Sequence, residues 1–100
     1  MLILLAKFNV ATQNGEKMLD LAQGMIGPSN SEEGCISYEF YQDPFNRNSF
    51  IFVERWRSKK DLDLHFEMPY FKDFDTKVAE IVSEKPSVIT YEASNENIIA

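Results

Sequence analysis

The sequence predicts an α+β fold, a ferredoxin-like βαββααβ sandwich built on an antiparallel sheet. Three observations predict it. Along the 100 residues, a length that makes one domain, strand-like and helix-like apolar runs follow one another in that order. The polar connection from Asp43-Pro44 to Asn48 is short enough to join two strands as an antiparallel hairpin. Both hairpin strands carry apolar residues on both faces, so their sheet needs cover on both sides. Helices supply one cover, and in so short a chain a second copy of the protein is the expected other.

Residues 2 to 10 are β-rich and bounded by polar residues, which reads as the first strand. Thr12 to Gly15 forms a turn and helix entry. Met18, Leu21, Ala22 and Met25 then fall at i, i+3, i+4 and i+7, one apolar helix face, which Gly27-Pro28 weakens or ends. Ser29 to Gly34 is loop-like. Cys35 to Gln42 and Phe50 to Trp56 are the hairpin strands. Ile36, Tyr38 and Phe40 share one face of the first, with Cys35 and Tyr41 on the other, and Phe50 and Phe52 oppose Ile51 and Val53 in the second. Ile36, Phe40, Ile51 and Val53 are expected to supply the face that meets a second copy. Ser58 caps a short helix running through Phe66, with Asp61 completing an approximate capping box. Pro69 suits the first turn of the next helix, whose stripe is Phe71, Phe74, Val78 and Ile81 and whose stop is Lys85-Pro86. Ser87 to Glu92 is the last strand. Residues 1–100 thus read as a single domain, with residues 94–100 a C-terminal tail.

Composition narrows the function. A formal charge of -6 argues against nucleic acid, which needs a basic face; the cluster of Arg55, Arg57, Lys59 and Lys60 is diluted by Glu54, Asp61 and Asp63. The single cysteine, Cys35, cannot form an intrachain disulfide, which fits a reducing, cytoplasmic setting. The opening MLILLAKFNV is short, lacks a basic flank and is interrupted by Lys7 and Asn9, so it reads as a strand. No run has the length of a membrane span. Metal binding is not expected, because there is one histidine and no recognisable ligand set, and no glycine-rich phosphate loop is present.

Residues 32 to 74 carry a more specific pattern: Gly34-Cys35, Tyr38, Asp43-Pro44, Phe50, Glu54-x-Trp56, then His65, Pro69 and Phe71. The pattern resembles the antibiotic biosynthesis monooxygenase family, and the flanking elements fit in order and length. The resemblance implies a homodimeric α/β barrel, with a pocket in each subunit between sheet and helices. It also implies a range of chemistries, among them cofactor-free oxidation of quinols or polyketide phenols, haem degradation and processing of a small signalling molecule. For the haem-degrading members the family pattern has an Asn on the first strand, a Trp on the short helix and a His on the next. Here Asn9 matches, but His65 stands at the second position and Asp75 near the third, which disfavours haem.

The candidate catalytic residues are His65 and Asp75. His65 lies on or beside the inward side of its helix, marked by Leu62 and Phe66, where the family pattern places a pocket-wall histidine. It is expected to turn a ring nitrogen into a cavity and to serve as a base near neutral pH. Asp75 falls on the apolar stripe of the last helix, three residues before Val78, and is expected at the pocket mouth. The candidate substrate-binding residues are Asn9, Tyr38, Glu54, Trp56 and Phe71. Glu54 and Trp56 share a strand face; whether Tyr38 joins them depends on hairpin register. Core packing for Trp56 and an arginine ion pair for Glu54 are the competing structural roles. The expected partner is a small aromatic molecule, oxidised by O₂ without a cofactor, or bound or isomerised without oxidation.

Overall fold

The computed structural model describes residues 1–100. The elements run β1 (Leu2–Asn9), a 3-10 turn (Thr12–Asn14), α1 (Gly15–Asn30), β2 (Cys35–Gln42), β3 (Ser49–Trp56), α2 (Lys59–Glu67), α3 (Pro69–Ala79) and β4 (Ser87–Glu92). The strands form one sheet in the order β2-β3-β1-β4, with every neighbouring pair antiparallel. This is the ferredoxin-like α+β sandwich that the sequence pattern predicts.

Strand alternation places the core. In β1, Leu2, Leu4, Ala6 and Phe8 are buried beneath the helices, and in β3 the same face carries Phe50, Phe52, Glu54 and Trp56. Met18, Ala22 and Met25 of α1 pack onto this layer, as do Leu62 of α2 and Phe74 and Val78 of α3. T-shaped contacts tie the centre together: Phe8 to Phe52 at 5.7 Å, Phe8 to Phe74 at 6.1 Å and Phe52 to Phe74 at 5.6 Å. The other sheet face has no helix over it. It holds half-buried Ile3, Leu5, Ile51 and Val53, with exposed Tyr41, Ile89 and Tyr91.

The short helix begins as its sequence predicts. The Ser58 side chain accepts from the Asp61 backbone N–H at 3.3 Å, and its hydroxyl donates to Asp61 Oδ2 at 2.8 Å. Arg57 completes the corner by donating to both Asp61 oxygens at 2.9 and 3.0 Å, which holds this carboxyl below its ordinary range.

Three local expectations are corrected. Pro28 does not end α1, which continues to Asn30. The Asn30 amide donates to the Ile26 and Tyr38 carbonyls, and Ser29 packs fully buried, so tertiary contacts carry the last turn past the proline. α3 stops at Ala79 rather than running to Lys85, because Val82 leaves to bridge Val10 and Ser83 N–H donates to the Asn9 carbonyl. Finally, the register of β2 shifts between Cys35 and Ser37. The extra residue, Ile36, leaves Cys35 on the same face as Tyr38 and Phe40. Phe40, which the hairpin register pairs with Phe52, stacks on Phe50 at 5.5 Å on the helix side and does not join Ile51 and Val53 on the open face.

Candidate active site

Between the sheet and α3 lies a cavity of about 250 Å³. Leu4, Ala6, Phe8 and Phe52 form its sheet wall, and Phe74 and Val78 its helix wall. The mouth opens past Asp75, Ala79, Pro86 and Val88, of which all but Pro86 are exposed. Val88 faces Ala6 across the β1–β4 pair, beyond the reach of the helices, which is why this end is open.

Two polar side chains enter the otherwise apolar interior, Glu54 and Tyr38. Their Cα atoms are directly paired between β2 and β3, so both side chains point to the helix side. Glu54 is 4% exposed, and its Oε1 accepts from Trp56 Nε1 at 2.9 Å. Burial pushes its carboxyl up to about 7, although the indole N–H favours the ionised form. A carboxyl poised there can take a proton from a weak acid and return it at neutral pH. Burial, with Glu54 nearby, also raises the Tyr38 phenol, so Tyr38 stays a neutral hydroxyl that can donate to or accept from a ligand.

His65 is placed differently from its expected position. Its ring is 1% exposed and does not line the cavity. Trp56 packs on it at 4.6 Å, and Phe66 and Phe71, which do line the cavity, lie against it at 5.9 and 5.0 Å. Nδ1 stands 2.6 Å from Glu32 Oε2, which also accepts from the Tyr70 hydroxyl. A carboxylate only accepts, so the proton of the neutral ring is assigned to Nδ1, and Nε2 is left buried without a partner. Burial lowers the His65 pKa in spite of Glu32.

The remaining candidates divide. Phe71 lines the cavity and Asp75 sits exposed on its rim. Trp56 is fully buried behind the wall, where it packs and holds Glu54 in place. Asn9 follows the odd-numbered positions of β1 on the open sheet face and is outside the cavity lining. Cys35 is half-buried away from the lining, with its thiol pushed up to about 11 by burial and by Glu54 and Glu32. Sequence reasoning missed Glu32 and Tyr70, since nothing local in the chain pairs either with His65. For Glu54 a signal existed: a lone carboxylate in the alternating series Phe50, Phe52, Glu54, Trp56 must be buried with it.

Residues 1–77 match the family model described as antibiotic biosynthesis monooxygenase. The Synechocystis sp. protein sll1783 is 38% identical over 90 residues, which make up 90% of this chain but 61% of that protein, so the chain spans less than two thirds of this relative. A Bacillus subtilis protein, named "Putative monooxygenase YcnE", is 29% identical over 94 residues, covering 94% of this chain and 99% of its own. Among solved structures, that of Rv0793 from Mycobacterium tuberculosis aligns with a TM-score of 0.90 at 25% identity, covering 95% of this chain and 96% of that one.

Proposed function

Since the chain belongs to the antibiotic biosynthesis monooxygenase family, we propose that it oxidises a small electron-rich phenol or quinol with O₂ in the cavity under α3. The observation that carries this reading is a single carboxyl, Glu54, buried in an apolar pocket with its pKa at about 7. Glu54 takes the phenolic proton, and the resulting anion is electron-rich enough to reduce O₂ directly, so neither flavin nor metal is required. The substrate supplies all four electrons. For a hydroquinone, one oxygen atom ends on a ring carbon and the other leaves as water, giving a hydroxyquinone. Tyr38 hydrogen-bonds the substrate oxygen, Phe71 packs on the ring, and the apolar walls keep bulk water from quenching the intermediates. His65, Glu32 and Tyr70 form a buried support behind the wall rather than a base, and Trp56 orients Glu54.

The test is oxygen uptake with simple hydroquinones and dihydroxynaphthalenes. Consumption of one O₂ per hydroxyquinone formed, without peroxide, supports the reading. Uptake no faster than the uncatalysed rate for every substrate would sink it. A second reading rests on the same carboxyl: a group that exchanges its proton near pH 7 equally suits keto–enol isomerisation or simple binding of a small metabolite. Turnover or binding under nitrogen would favour that reading.

We also propose that the chain is a homodimer of the barrel type. Ile51, Val53, Tyr41, Ile89 and Tyr91 make the uncovered sheet face too apolar to be left in water, and a second copy is self-complementary to it. Sedimentation at micromolar concentration should give twice the chain mass, consistent with a buried area above about 1,000 Å². A monomer would overturn this cover. No helix is long and apolar enough to cross a membrane, and the lone thiol of Cys35 suits the cytoplasm.

A further inference from the structure

The cavity has an uneven supply of charge. Its lining contains two carboxyls, Glu54 inside and Asp75 at the rim, and no Lys, Arg or His. The cations of α3 are engaged elsewhere: Lys72 Nζ is 3.1 Å from Glu67 and Lys77 Nζ is 2.9 Å from Asp73. Lys85, beside Pro86, is exposed and outside the lining. Asp75 itself is in no ion pair, so its charge stands uncompensated at the entrance of a chain that carries -6 overall.

We infer that the pocket is a charge filter, with Asp75 as the specificity-determining residue at its mouth. It admits neutral hydroxyarenes and rejects arenes that carry a carboxylate or phosphate. The inference deepens the proposed function and rests on its reading of the cavity as an aromatic site.

The physical argument has two halves. An anion entering this pocket would pass the Asp75 carboxylate at the rim, then lose its hydration in an interior of low dielectric that holds Glu54 and no counter-charge. A neutral hydroxyl meets the reverse situation, since Glu54 and Tyr38 both offer acceptor oxygens and the walls bury the ring. Size agrees. A dry cavity of about 150 Å³ takes benzene, so the observed volume of about 250 Å³ suits one or two fused rings.

The experiment compares two ligands of nearly equal shape, 1,4-dihydroxy-2-naphthamide and 1,4-dihydroxy-2-naphthoate. Binding is measured without oxygen by calorimetry or by the fluorescence of Trp56, the single tryptophan. The amide should bind at least about tenfold more tightly than the carboxylate. In Asp75→Lys the gap should close to about threefold or less, while Asp75→Asn should fall between the two. Because Asp75 is exposed, both variants should keep the parent melting temperature. Equal affinity of the two ligands for the parent protein would overturn the filter and leave the aromatic-site reading standing. An undiminished gap in Asp75→Lys would overturn the role of Asp75. Binding of neither ligand would remove both the filter and the reading beneath it.

Discussion

Replacing Glu54 with glutamine should lower turnover of a hydroquinone by about 10²- to 10⁴-fold, the range of a positioned general base. The same change should raise stability above pH 7. The sign follows from linkage. The folded-state pKa of Glu54, about 7, lies above its ordinary value of 4.5, so the folded protein holds this proton more tightly than the unfolded chain. That stabilisation is complete below about pH 4.5 and is lost as pH rises through about 7. The loss is on the order of 3 kcal/mol. The substituted amide never ionises, and its oxygen can still accept from Trp56 Nε1, so the variant escapes the loss. In the parent protein, activity should climb with pH through about 7 as the base form appears. Turnover retained in Glu54→Gln, with the pH rise unchanged, would remove Glu54 as the base.

His65→Gln is the contrasting variant. It should lower the melting temperature, because the imidazole packs on Trp56 and binds Glu32, and it should leave the rise of activity with pH in place. His65 acts on stability in the opposite pH direction to Glu54. Its folded pKa is lowered by burial, so its contribution is present above the ordinary value of 6.5 and is lost as pH falls through the folded value.

Gly34→Ala should destabilise the protein by about 2–3 kcal/mol, the upper part of the range for overpacking. In a domain of this size that is a fall in melting temperature of about 10–20 °C. A Cβ at position 34 would overlap Cβ and Cγ of Asp61. Neither side can yield easily. Asp61 is held by Arg57 and by the Ser58 cap, and the Gly34 carbonyl accepts from Arg57 N–H at 2.8 Å. No glycine here has a positive φ, so the requirement at Gly34 is space alone. The check is thermal denaturation of Gly34→Ala in the parent and in an Asp61→Gly background, where the obstructing side chain, Cβ included, is gone. Equal losses in both backgrounds would locate the cause elsewhere.

Local signals in the chain decided most of the fold. Alternation in β1, the Ser58 cap, the Pro69 start of α3 and the polar Asp43–Asn48 connection each act over a few residues, so each can be read without the rest of the molecule. The candidate site was only partly legible. Phe71 and Tyr38 line the cavity and Asp75 stands on its rim, but the rank of the residues changed. His65 looked like the base because helix spacing turned it inward. Inward proved to mean enclosed by Trp56, Phe66 and Phe71 and tied to Glu32, a residue 33 positions away. Glu54 acquired its properties from burial, and the register of the β2–β3 hairpin sets Tyr38 opposite it on the same face. Moving a register by one residue carries every side chain of a strand to the other face. Periodicity therefore determined which elements form and that Glu54 is buried with its strand neighbours, while long-range pairing and desolvation, which no local pattern encodes, decided that Tyr38 stands opposite it and that His65 is enclosed behind the cavity wall.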